Sequence, residues 1–227
     1  MDTERDEHEA LVAMLKDPKN LESYKNSCGE VRLALLPRAL GGILVGAGNL
    51  LYGDKPSYLK FRAVEVIARV PYHSWAAVGH TLLTLFYRNE KKALELCDDS
   101  NFARLSQDNE TMHVVVISQL SENEQKGNIL THTIIPMMFA FFYYWMSYVM
   151  YLVKPSWALQ LNYIFENHAF EQYDRFLKEN EDMLKNKSIE SEFLSWYGRE
   201  FLTQYDFFVS VRSDELIHRN KSIRATS

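Results

Sequence analysis

The sequence predicts an all-α protein built as a helical bundle. Three observations carry that expectation. No segment of any length reads as strand-rich, apolar helical patterns alternate with turn signals, and two Glu-x-x-His units lie far apart on such patterns. The 227 residues suffice for one substantial domain, and 47% hydrophobic against 24% charged residues is compatible with a sizeable core.

The elements follow in order. Residues 1–30 are polar and read as an N-terminal arm with one short helix. Residues 31–53 are apolar and rich in small side chains, and Gly53-Asp54-Lys55-Pro56 is a turn signal. A helical pattern runs from about Tyr58 to Arg88, and Pro71 inside it should kink the helix. Asp108-Asn109 reads as a helix start before Glu110, with that helix ending near Leu120. Ser121 to Gly127 reads as a loop. Residues 128–153 are strongly apolar and stop at Lys154-Pro155. A mixed helix follows to about Lys178, then a charged run from Glu179 to Glu190 that reads as a solvated face or loop. A last helix covers roughly Glu192 to Lys221. The chain thus divides into an arm (1–30), one domain (31–221) and a short tail (222–227).

Composition excludes some classes. A net charge of −5 argues against nucleic acid, because phosphate binding needs a basic surface. Cys28 and Cys97 make no disulfide framework and read as small apolar fillers in a reducing compartment. The acidic start resembles neither a signal nor a transit peptide. The expectation is that the chain acts where it is made or that an address has been removed. Ile134–Val153 is long enough to span a bilayer, but it carries Tyr143, Tyr144, Tyr148, Tyr151, Ser147 and Pro136. Tyrosines belong at headgroup level, so this helix and residues 31–53 predict a protein lying in one leaflet.

The chemistry resides in six residues. Glu110-Thr-Met-His113 and Glu215-Leu-Ile-His218 each put a carboxylate and an imidazole on one helix face. Glu65 and Glu166 are lone acids in apolar helical surroundings. The order E, ExxH, E, ExxH on four helices is that of a ferritin-like four-helix bundle holding a di-iron carboxylate site. Oxygen and imidazole donors suit iron, and bridging carboxylates hold two metals close. A zinc-protease motif, a phosphate-cradling glycine loop and zinc patterns of cysteine and histidine are absent from the sequence. One Glu-x-x-His alone is common on ordinary helices; two of them interleaved with both lone acids favour the functional reading.

The same segments resemble a known family. Arg62-Ala-Val-Glu65-Val-Ile-Ala-Arg69-Val-Pro71-Tyr72, Asn109-Glu110-Thr-Met-His113 and Arg212-Ser-Asp214-Glu215-Leu-Ile-His218 resemble three motifs of the alternative oxidases. Glu166-Asn-His168-Ala169-Phe170-Glu171-Gln-Tyr173-Asp174-Arg-Phe176 is similar to the segment of the plastid terminal oxidase branch. The resemblance covers about residues 45–221.

It implies a quinol oxidase that passes electrons from plastoquinol or ubiquinol to dioxygen at two iron ions, without proton pumping. It implies Glu65, Glu110, His113, Glu166, Glu215 and His218 as iron ligands, Tyr173 as the redox-active tyrosine and Asp214 as the carboxylate supporting the site. Val64 is placed against the quinone, and His80 and Tyr151 match two further positions of the plastid branch. It also implies a homodimer on one leaflet of a thylakoid or cytoplasmic membrane, on the stromal or cytoplasmic side. Thr111, Ser118, Gln119 and Leu216-Ile217 depart from the family pattern without removing a ligand. Another di-iron oxygenase such as a quinone hydroxylase, a ferritin-like iron-binding protein, and a helical interaction module with a degenerate site remain as alternatives at this point.

Overall fold

The computed structural model describes residues 2–124 and 127–226, and among these the chain forms ten α-helices and a π-helical turn. One isolated bridge between Ser188 and Thr203 is the whole of its β-structure among the described residues. The all-α expectation holds.

The segment read as a polar arm is helical. It contains α1 (Asp2–Met14) and α2 (Pro18–Asn26), the latter capped by Asp17, whose carboxylate accepts from the Lys19 and Asn20 amides at 2.9 and 3.1 Å. Val12 of α1 and Leu15 just after it are buried against Ile217. α3 (Leu35–Tyr52) stops at Gly53, whose φ of 79° a side chain would disfavour. It approaches the later helix α8 (Pro155–Lys185) at Gly41, where an added Cβ would lie 2.8 Å from the Ile164 side chain. The predicted kink at Pro71 is an interruption at Arg69, between α4 (Tyr58–Ala68) and α5 (Val70–Phe86). Proline has no amide hydrogen to continue the ladder, and its ring crowds the preceding turn.

Two boundaries differ from expectation. α6 runs from Glu90 to Glu124, so Asp108-Asn109 lies inside it and Ser121–Glu124 is helix; Gln125 and Lys126 lie outside the described residues. Asn89 supplies the real cap, its side-chain oxygen accepting from the Lys92 amide at 3.1 Å. Asn109 is buried within the helix instead. α5 packs along α6, and that tertiary contact overrides a local capping preference.

The last predicted helix is split into α9 (Glu192–Tyr197) and α10 (Gln204–Arg224). Gly198 takes φ 89°, which ends α9 and turns Arg199 inward. Thr203 caps α10 by accepting from the Asp206 amide at 3.1 Å. Between these regions, the π turn (Leu130–Ile134) leads into α7 (Ile135–Val153), and α8 continues past Lys178. Asn180 interrupts its geometry, and ion pairs Arg175–Glu179 at 2.7 Å and Lys185–Glu181 at 2.5 Å line the charged face.

α4, α6, α8 and α10 form the four-helix bundle, with α8 along α10 and α4 along α6. One aromatic core gathers Phe61, Tyr173, Phe176 and Phe208; the other gathers Tyr72, Trp75, Tyr143 and Leu161. α3 and α7 lie outside the bundle with apolar side chains turned outward, including Leu50 at 88% and Phe141 at 62% exposure. By length and composition, α3 and residues 130–153 are apolar enough to cross a membrane.

Candidate metal centre

Glu65 on α4, Glu110 and His113 on α6, Glu166 on α8, and Glu215 and His218 on α10 meet in one space between the two cores. Each has at most 2% of its surface exposed. Their donor atoms form two overlapping sets, each within 4.8 Å: Glu65, Glu110, His113 and Glu215, and then Glu110, Glu166, Glu215 and His218. Glu110 and Glu215 belong to both sets. Such sets describe two neighbouring cation positions sharing two carboxylates.

The chemistry of the donors supports that description. Both oxygens of Glu110 and of Glu215, Glu65 Oε2, His113 Nδ1 and both ring nitrogens of His218 are buried without a hydrogen bond. His218 Nδ1 approaches Glu110 Oε1 at 2.8 Å, but the pair is not aligned as a hydrogen bond. Buried polar atoms are nearly always paired, because an unpaired one forfeits its hydration. Eight in one space fit a cation site, and two divalent ions would balance the four glutamates.

Protons are held tightly here for the same reason. Burial pushes the Glu65 carboxyl up to about 7, partly offset by His113. Burial, together with the charges of Glu110 and Glu166, pushes Glu215 well above the ordinary carboxyl range. Burial opposes charge on His113, but Glu110 and Asp214 outweigh it and hold the imidazole well above its usual range. A pocket that retains protons in this way carries more negative charge than its burial tolerates, and a cation can take the protons' place.

Asp214 fixes the orientation of one ligand. Burial would raise its carboxyl, but Arg199 outweighs that and keeps it ionised, with contacts of 2.5 and 3.0 Å. An ionised carboxylate only accepts, so His113, 3.1 Å away, donates its Nε2 hydrogen. His113 Nδ1 is left facing Glu215, Glu110 and Glu65 at 3.3, 3.5 and 3.7 Å. Two tyrosines close the ends of the cluster. Tyr173 donates to Glu65 Oε1 and stacks on Phe61 at 4.1 Å. Tyr72 donates to Glu166 Oε1 at 2.7 Å, and Asn162 Nδ2 lies 3.0 Å from the same oxygen.

A cavity of about 410 Å³ extends from α3 to these acids between α4, α7 and α8. Its walls are largely apolar, with Val64, Phe142, Met146 and Phe165, and its inner end is made by Glu65, Glu166 and Tyr173. Lys60 stands at its side, its Nζ donating to Gly53 O, Asn49 Oδ1 and Gln172 Oε1 at 2.8, 3.0 and 3.1 Å.

The fold thus brings the six sequence-chosen donors together, with Tyr173 and Asp214 against them and Val64 on the cavity wall. His80 is exposed on α5, and Tyr151 stacks on Trp75 at 5.2 Å; neither lines the cavity. Sequence reasoning did not single out Tyr72, Asn162, Arg199 or His8 as site residues. Asn162 stands one helical turn before Glu166, and that spacing was the available signal. Arg199 and His8 reach Asp214 across 15 and 206 residues of chain, beyond any periodicity.

Fold and cluster together define the class of helical bundles whose facing helices present a carboxylate–histidine site for paired metal ions. The chain belongs to the alternative oxidase family, whose model matches residues 33–226. Among curated relatives it is 28% identical over 235 residues to Ubiquinol oxidase 4, chloroplastic/chromoplastic, of Arabidopsis thaliana. That match covers 93% of this chain and 63% of the relative, so the chain spans less than two thirds of the relative's length.

Proposed function

We propose that this chain is a quinol:oxygen oxidoreductase: two quinols reduce one dioxygen to two waters at a pair of iron ions, without proton pumping. The observation that carries this reading is the meeting of cavity and cluster, since Glu65, Glu166 and Tyr173 are themselves cavity wall. A narrow apolar passage ending on redox-site acids suits a lipid-soluble reductant. The family membership and the likeness to a ubiquinol oxidase support the same substrate class.

Glu65, Glu110, His113 and Glu215 would hold one ion, and Glu110, Glu166, Glu215 and His218 the other. When bound, the pair would supply the electron store and the Lewis acidity for reducing dioxygen. The chain's own residues do the rest. Val64 and Phe142 flank the quinol ring, and the apolar walls keep water from the acids. Each quinol gives up two electrons and two protons. Glu65 and Glu166 form the inner end of the cavity, so their carboxylate oxygens face the quinol hydroxyls there. Tyr173 is kept protonated by burial and hydrogen-bonded to Glu65, so an electron can pass from its ring to the dioxygen under reduction as its proton passes to Glu65 Oε1. His80 and Tyr151, outside the cavity, make no substrate contact in this scheme.

The outward apolar faces of α3 and α7 are proposed to lie in one leaflet, so that quinol enters from the bilayer. The same reading expects a homodimer on the stromal or cytoplasmic side of a thylakoid or cytoplasmic membrane.

The test is oxygen uptake by the iron-loaded protein in detergent with a reduced plastoquinone analogue. Cyanide-resistant uptake, with four electrons delivered per oxygen, supports the proposal. No uptake from protein carrying two irons overturns it, and an oxygen atom retained in the quinone ring would identify a hydroxylase.

A further inference from the structure

The amino-terminal helix makes contacts that the proposed mechanism has not used. α1 lies before the segment that the family model matches, yet two adjacent residues of it reach the support of the metal cluster. His8 is buried, and its Nε2 lies 2.7 Å from Asp214 Oδ1. Glu9 grips Arg199, whose Nε lies 2.9 and 3.0 Å from the two Glu9 oxygens. Arg199 in turn holds both oxygens of Asp214 and donates to Ser210 Oγ at 3.1 Å. Asp214 therefore takes four contacts, with His8 and Arg199 on Oδ1 and Arg199 and His113 on Oδ2.

We propose that α1 is a working part of the metal centre, with His8 positioning Asp214 and, through it, the His113 imidazole. This rests on the paired-metal reading of the cluster. Arg199, which can only donate, grips both oxygens of Asp214, so the carboxylate is an acceptor here and His8 presents Nε2–H to it. The contact restrains rotation of the carboxylate about its own axis. The Oδ2 oxygen is thereby kept in line with His113 Nε2, and His113 Nδ1 stays aimed at Glu65, Glu110 and Glu215. Outer partners of this kind set the orientation and basicity of a ligating imidazole. Glu9 acts at one further remove, by locking Arg199.

The anchoring of α1 is consistent with precision at His8. Val12 and Leu15 pin the helix to Ile217, adjacent to His218, and Arg5 lies over the Tyr197 ring at 4.8 Å. The His8 ring is 5.9 Å from the His218 ring, so the helix also covers the second imidazole. A side chain needed only to fill space here would be apolar, as Val12 and Leu15 are. His8 is instead a buried donor spent on a carboxylate that Arg199 already neutralises.

The full chain is compared as wild type, His8→Leu and His8→Gln. Leucine fills the space without a donor, and glutamine restores an N–H near the Nε2 position. Iron affinity is read by competition with a chelator. In the metal-free protein, proton NMR reads solvent exchange of the His113 Nε2 hydrogen, which Asp214 holds whatever the charge of the ring. The expected result is an affinity about 10- to 100-fold weaker in His8→Leu, with recovery in His8→Gln. Exchange at His113 should quicken in the leucine variant only. Wild-type iron affinity and unchanged His113 exchange in a folded His8→Leu overturn the positioning role and leave the metal reading standing. Wild-type chain that takes up no iron, but whose His113 exchange still depends on His8, overturns the metal reading and leaves the positioning of His113 intact. Should His8→Leu fail to fold, Glu9→Gln takes its place; its half-exposed carboxylate tolerates the change. Loss of affinity there supports the relay, and wild-type affinity overturns it.

Discussion

Glu110 and Glu215 are the two residues around which the cluster is organised, since each belongs to both donor sets and neither oxygen of either is hydrogen-bonded. Glu65 and Glu166 differ from them. Each faces the cavity and holds a tyrosine, Tyr173 on one and Tyr72 on the other. The two outer acids therefore lie where cavity, aromatic ring and donor cluster meet, and substitutions there should separate binding from turnover. Tyr173→Phe removes one hydroxyl from a stacked, fully buried ring. It is expected to retain iron and to lose roughly 100-fold in turnover, the scale of a positioned proton-transfer group. Full activity by oxygen electrode would reject the electron-donor role. Glu166→Ala removes a donor from one set only, so iron should fall from two ions per chain to about one. Metal analysis of the purified variant checks this, and two tightly held irons would contradict the assignment.

At the scale of elements, helices have divided the work. α4, α6, α8 and α10 carry the donors, and their long apolar contacts keep the acids in place in spite of mutual repulsion. α3 and α7 carry no donor but build the outer cavity, Leu44 and Tyr52 from one and Phe142 and Met146 from the other. Their opposite faces are exposed: neither Leu50 on α3 nor Phe141 on α7 is itself part of the cavity lining. If those faces lie in a leaflet, the double substitution Leu50→Glu and Phe141→Glu should weaken binding to lipid vesicles. The expected cost is about 2 kcal/mol or more, the scale on which acids resist apolar lipid. Iron content should be unchanged. Vesicle flotation equal to wild type would show that other surfaces make the membrane contact.

The whole molecule sets the stability of such a site. Folding places four glutamates and two imidazoles in a space without water-exposed surface, an arrangement that opposes the folded state until cations arrive. Metal binding is accordingly expected to be linked to folding. At a free-ion concentration about 1,000-fold above Kd, the linkage is worth about 4 kcal/mol, or about 10 °C in Tm for a domain of this size. Chelation followed by calorimetry should show a drop of that order, and an unchanged Tm would argue that the cluster is satisfied without metal.

The sequence alone determined the all-α class, the four helices of the cluster and the six side chains that meet in it, because each is a matter of local geometry. A residue and its third neighbour share a helix face wherever the helix goes, and Tyr173 stands two turns from Glu166 for the same reason. The interruption before Pro71 and the stop at Lys154-Pro155 are likewise local, since proline lacks the amide hydrogen that a helix needs. Tertiary structure decided what locality leaves open. It drew Asp108-Asn109 into the interior of α6, because packing against α5 exceeds a capping preference. It cut the last helix at Gly198 so that Arg199 could turn to Asp214. It left His80 at the surface and Tyr151 on Trp75, although both match positions of the plastid branch. It also carried His8 across the whole length of the chain to that same carboxylate. Spacing along a chain prescribes which side chains share a face, but only packing of one face on another decides which charges are buried together and what must neutralise them.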